Sequence, residues 1–185
     1  MDRAEIPSIS AVLILDNEGK RIVARQYGAA ANGDHTAFEK KLFDKTARTN
    51  AKSEAEIIIL DSFVSVYRNT GDAWFYVIGT QMENELILVE VLNAMTEALS
   101  TLLRGSLDTR LLLDNFDTVL ITIDEMIDCG MILETEATAI ANRVGMKAAD
   151  ATPASEAAAG GTFSESNFNS MFASAREQLA RSLLK

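Results

Sequence analysis

The residues able to do chemistry in this chain are few: one histidine, one cysteine and some grouped carboxylates. His35 follows Asp34 at the polar entry to a predicted helix, where an imidazole reads as a solvated capping-region residue, not as a base or ligand. Cys129 stands beside Gly130 at a predicted helix end. With no second histidine to activate its thiolate, it reads as a small, partly buried filler. Glu83 and Glu85 precede a long helical pattern, where negative charge favours the positive end of the helix dipole. Asp114 with Asp117, and Asp124 with Glu125 and Asp128, have spacings that could gather carboxylates round a divalent cation, the basis for a metal-dependent hydrolase. They alternate with an apolar stripe, however, as the solvated face of an amphipathic helix does. The chain has no Gly-rich phosphate loop, no G-x-S-x-G elbow and no H-E-x-x-H. No catalytic residue, metal or cofactor is expected, and the chain does not read as an enzyme.

Composition narrows the class further. In 185 residues that are 48% hydrophobic, one well-filled core plus a tail can form, but hardly two independent domains. The 17 basic against 27 acidic residues leave a net charge of −10, which disfavours phosphate backbones and anionic lipid headgroups as direct partners. A single cysteine excludes an internal disulfide and fits a reducing compartment. The start MDRAEIPSIS has no apolar core like that of a signal peptide. No run of about 18 uninterrupted apolar residues occurs, so a bilayer span is not expected. The chain reads as soluble and cytosolic.

The elements that must position these residues follow from periodicity. Residues 9–16 are apolar on both faces of an extended strand, Asp16-Asn17-Glu18-Gly19 is a turn, and residues 21–27 return. A Gly- and Ala-rich stretch at 28–34 reads as flexible and leads into a helix. There Phe38, Leu42, Phe43 and Thr46 share one stripe, and Glu39, Lys40, Lys41, Asp44 and Lys45 mainly face water. Extended runs at 56–60, 63–68 and 73–80 follow, the last two joined by Asn69-Thr70-Gly71-Asp72. The last run sets Trp74, Tyr76 and Ile78 against Phe75, Val77 and Gly79, as a central strand covered on both faces does.

A helix from about residue 83 carries Leu88, Val91, Leu92, Met95, Leu99 and Leu102, and Leu86, Ile87 and Val89 make its first turns apolar nearly all round. One sheet needs only a stripe, so these turns are expected to lie against sheet and partner together. A further helix, capped by Asn115, carries Phe116, Val119, Leu120, Ile123, Met126 and Ile127 and stops at Cys129-Gly130. A short helix is expected from about 135 to 144, closed by Gly145. The order β-β-α-β-β-β-α-α gives an α+β domain at 1–146, with an antiparallel or mixed sheet covered by helices. Residues 147–163 read as a flexible linker, and 164–185 as an amphipathic helix with Phe168, Met171, Phe172, Ala175, Leu179 and Leu183 on one side. So short a helix needs a surface to dock on, and a protein groove suits it better than a membrane.

The strings AVLILDNEGKRIVARQY, AFEKKLFDKT, SEAEIIILDSFVSVYRN, AWFYVIGTQMENELILVEVLN, IDEMIDCGMILET and SAREQLARSLLK together resemble the zeta subunits of coatomer, over nearly the whole chain from Ile9 to Lys185. The resemblance to the small sigma subunits of clathrin adaptor complexes is weaker. FEKKLFDKT and the tail helix favour zeta. Cys129-Gly130 stands where a Gly-Gly pair is common.

What the resemblance implies is a longin-like fold, a five-stranded antiparallel sheet flanked by helices. It implies an obligate partner, the coatomer gamma subunit, whose solenoid trunk wraps this domain. Other coatomer subunits then complete a coat recruited to Golgi membranes through an Arf-family GTPase, carrying cargo back toward the endoplasmic reticulum. The sigma chains also help to form a pocket for dileucine sorting signals. RGSLDTRLLL departs from their pattern here, so that pocket is not carried over. The expected partner contacts are Leu86, Ile87 and Val89, with Phe168, Phe172 and Leu179 of the tail. The alternatives are a sigma-type adaptor chain and a longin- or roadblock-type regulator of a small GTPase.

Overall fold

The computed structural model describes residues 7–28, 35–49 and 54–150. Strands β1 (Ala11–Asp16) and β2 (Arg21–Gln26) form a hairpin. Its turn is fixed locally: the Asp16 carboxylate accepts from the backbone N–H groups of Glu18 and Lys20, both at 2.8 Å, and Gly19 takes a φ of +78°. Helix α1 (Thr36–Thr46) leads to β3 (Glu56–Leu60), β4 (Phe63–Thr70) and β5 (Ala73–Thr80), which pair antiparallel in sequence. The sheet order is β2-β1-β5-β4-β3, so β5, apolar on both faces, is the middle strand as expected.

Alternation along the strands builds two cores. On one face Leu13, Leu15, Tyr67, Trp74, Tyr76 and Ile78 meet Phe38, Leu42 and Phe43 of α1. Tyr67 stacks on Tyr76 at 5.8 Å, and the Tyr76 hydroxyl lies 2.7 Å from that of Thr46. Glu39 is a correction: it is 6% exposed and takes a hydrogen bond of 2.9 Å from Arg21. The strand-borne guanidinium makes burial of that carboxylate tolerable, and nothing in the helix spacing signals it.

On the other face Val12, Ile14, Val64, Val66, Phe75 and Val77 meet α2 (Glu85–Leu103) and α4 (Phe116–Met126). Helix α2 has the length and composition of a bilayer span, yet its buried stripe, Leu88, Val91, Leu92, Met95 and Leu99, lies in this core. Between them α3 (Thr109–Asp114) was not anticipated; the Asp108 carboxylate caps it by accepting from Leu111 N–H at 2.8 Å. Asn115 precedes α4 but does not cap it with its side chain, which donates instead to the Leu111 carbonyl at 2.9 Å and closes α3.

Helix α4 ends at Met126. Cys129 and Gly130, both at positive φ, form the two-residue turn of a small hairpin of β6 (Ile127–Asp128) and β7 (Met131–Ile132) rather than a helix stop. The hairpin bridges Ser8 and so holds the segment entering β1. Helix α5 (Ala137–Asp150) starts near the expected place but runs past Gly145, which stays helical at a cost of about 1 kcal/mol against Ala. The remaining expected linker and the tail helix lie outside the described residues, as does the stretch 29–34.

Candidate partner interface

Helix α2 starts with Asn84, whose side-chain oxygen accepts from the Leu86 N–H at 2.9 Å. This cap, missed between two glutamates in the sequence, sets which residues face inward. Leu88 is buried, and Val89 packs half-buried on the core edge. Ile87 is half-buried, while Leu86 is 73% exposed. The expectation that all three lie against the sheet therefore fails for Leu86, which points outward: a helix offers one stripe to a sheet, and Leu88 and Leu92 occupy it.

The edge strand beside α2 carries more apolar surface, which sequence reasoning did not single out. Ile57 pairs across from Val66 and Ile59 from Val64, so both lie on the face that α2 covers. They are 49% and 60% exposed. The signal was the run EIIIL, apolar on both faces in a strand that proves to be an edge. Phe168, Phe172 and Leu179 lie outside the described residues.

The groups capable of chemistry are dispersed. His35 sits before α1 without capping it, and its Nε2 is buried with no hydrogen-bond partner. It borders a small apolar cavity of about 150 Å³ with Ala11, Leu13, Ala24, Phe38 and Phe63. Cys129 is exposed, not partly buried, and its thiol pKa is raised by a hydrogen bond with Asp128 and that residue's charge, the opposite of nucleophile activation. Two carboxylates of α4 are engaged: Asp124 accepts from two Arg25 nitrogens, at 2.9 and 3.1 Å, and Glu125 lies 3.9 Å from Arg143. Among the described residues no group of three or more His, Cys, Asp or Glu is placed to hold a metal ion.

One carboxylate has a clear structural task. Glu134 accepts from the backbone N–H groups of Glu136 and Thr135, both at 3.1 Å, and pairs with Arg143 across the first turns of α5. Those N–H groups first, then the guanidinium, hold its pKa below the usual carboxylate range. A second, polar cleft of about 450 Å³ is lined by Arg68 of β4, Asn93 and Thr96 of α2, and Gly105, Ser106 and Leu107 beyond α2. Arg68 donates to the Asn93 side-chain oxygen at 2.7 Å.

Among the described residues, exposed apolar side chains lie at the β3 edge and the start of α2, and the reactive groups are not brought together. Residues 8–151 match the family described as Clathrin adaptor complex small chain. The chain belongs to that family. Within it, the similarity is to coatomer zeta subunits: 42% identity to coatomer subunit zeta-3 of Arabidopsis thaliana over 180 residues, 96% of this chain and 95% of that one. Coatomer subunit zeta-1 of Homo sapiens is 36% identical over 96% of this chain and 94% of its own. A chain of a homology model of the full-length AP-3 complex in a stretched open conformation superposes with a TM-score of 0.61 at 18% identity, over 77% of this chain and 95% of that one. That likeness is one of fold. Small-chain membership accords with the five-stranded antiparallel sheet between helices.

Proposed function

We propose that this chain is the non-catalytic small subunit of the coatomer vesicle coat, paired permanently with the gamma subunit in the adaptor-like part of that coat. Its place is the cytoplasm, peripheral on Golgi membranes and coated vesicles, in transport from Golgi to endoplasmic reticulum and within the Golgi. Contact with an Arf-family GTPase and with membrane is indirect, through the assembled coat.

The observation that carries this reading is the start of α2 in a member of the small-chain family. Leu86 stands 73% exposed beside half-buried Ile87 and Val89, which leaves apolar surface at the start of α2 for a partner to cover. Covering a Leu, Ile or Val side chain is worth about 1.5–3 kcal/mol, so a few such residues together can anchor an interface. The tail residues Phe168, Phe172 and Leu179 are assigned to the same partner.

The test is Ile87→Asp, with co-purification of the gamma subunit from cells as readout. A buried aspartate without a partner is strongly unfavourable, so recovery of the complex is expected to fall at least tenfold while the variant itself stays folded. Unchanged recovery removes the start of α2 from the interface.

A further inference from the structure

Small side chains meet beneath the start of α1. Register sets Leu13 opposite Ala24 and Ala11 opposite Ile78, and all four lie on the sheet face that α1 covers. Two of the four are alanines on neighbouring strands, and above them the start of α1 supplies His35, Phe38 and Glu39. A cavity of about 150 Å³ remains, walled mostly by carbon from Ala11, Leu13, Ala24, Phe38, Phe63 and Ile78. Protein interiors leave few voids larger than a water molecule, so a space of this size is room for a guest.

The polar groups beside it select the guest. Glu39 is already held by Arg21, at 2.7 and 2.9 Å, so a charged ligand entering the apolar walls would lose its water without gaining a free counter-charge. His35 differs: its Nε2 is buried and has no hydrogen-bond partner among the described residues. A hydroxyl both donates and accepts, so it satisfies that nitrogen in either tautomer of the ring. An apolar space of this volume accommodates a molecule about the size of benzene.

We propose that this cavity binds a neutral, benzene-sized apolar molecule bearing one hydroxyl. Its ring packs between Phe38, Phe63 and the two alanines, and its hydroxyl bonds His35 Nε2. The way in is a larger cleft of about 700 Å³, which shares Ser10, His35 and Phe63 with the cavity and continues past Tyr27 and Met82. The site lies on the α1 face of the sheet, opposite α2, and does not depend on the proposed function.

The experiment adds phenol, and separately benzene, to the full chain with whatever subunit co-purifies, and follows the methyl NMR signals of Leu13, Ala24 and Ile78. Saturable shifts are expected with both probes, phenol binding about fivefold more tightly through its added hydrogen bond. His35→Leu is expected to keep benzene affinity within about twofold and to lose the preference for phenol. Ala24→Leu fills the cavity and is expected to weaken both probes at least tenfold, with a melting temperature that checks folding. Should Ala24→Leu not fold, the wild type and His35→Leu still decide the matter. The inference is overturned by wild-type methyls that neither probe shifts, or by benzene binding as tightly as phenol. Undiminished binding in folded Ala24→Leu, or a phenol preference that survives His35→Leu, overturns it equally.

Discussion

Ile9 donates its backbone N–H to the carbonyl oxygen of Gly130 at 2.7 Å, and a methyl group on Gly130 would stand 2.8 Å from the Ile9 carbonyl oxygen. The segment entering the central sheet is thus pressed against the tip of a hairpin that has room only for glycine. Gly130 also has a φ of +87°, which L side chains rarely adopt. Gly130→Ala is therefore expected to destabilise the domain by about 2–4 kcal/mol, combining backbone strain and overpacking. Urea unfolding measures it; a loss below about 1 kcal/mol would mean that the hairpin yields.

The neighbouring residue gives the opposite sign. Cys129 holds a φ of +50° and is exposed, so its side chain gains little from packing and costs strain. Cys129→Gly is expected to stabilise the domain by about 1 kcal/mol, because relief of the left-handed conformation exceeds the entropy gained by the unfolded chain. The same unfolding curves read the change.

At high pH the sheet face under α1 is the weak point. Burial, with a hydrogen bond to the Glu56 carboxylate at 2.7 Å, pushes the Tyr67 phenol up to about 12 against a partial offset from Thr49. A folded-state pKa above the unfolded value of about 10 gives stability that is complete below pH 10 and is lost as pH rises toward 12. Burial likewise raises Tyr27 and Tyr76. Tyrosinate absorbance and far-UV circular dichroism are expected to change together above pH 10. Tyr67→Phe is expected to reduce that slope while costing about 1 kcal/mol at neutral pH through the unpaired glutamate.

Glu134 acts in the acid range. Its depressed pKa means that its contribution is present above about pH 4.3 and is lost as pH falls below that value. Glu134→Gln removes the charge that holds Arg143 and the first N–H groups of α5. The variant is expected to be less stable at pH 7 and to lose part of the wild-type slope between pH 5 and pH 3, read by thermal melts at each pH.

Much of the fold was legible because alternation and helical spacing are strong where a face is buried. The five sheet strands fall where the apolar runs predicted them, and β5 is central because Trp74, Tyr76 and Ile78 are as apolar as Phe75 and Val77. What escaped was short or set by distant partners. Two-residue strands leave no period to detect, and glycine ends helices and turns hairpins alike, so Cys129-Gly130 was misassigned. Glu39 is buried by virtue of Arg21 on another element. Of the expected contacts, Ile87 and Val89 are half-buried at the start of α2, while Leu86 is exposed because Leu88 takes the inward position. Ile57 and Ile59 emerged only once β3 proved to be the edge.

A large second subunit is expected to complete the exposed apolar edge. Purification of the tagged chain from cells at native abundance, followed by sedimentation and identification of its companions, tests this most directly. All of the chain is expected to sediment in a one-to-one complex with the coatomer gamma subunit. A stable, monodisperse pool of free chain with no large companion would contradict it.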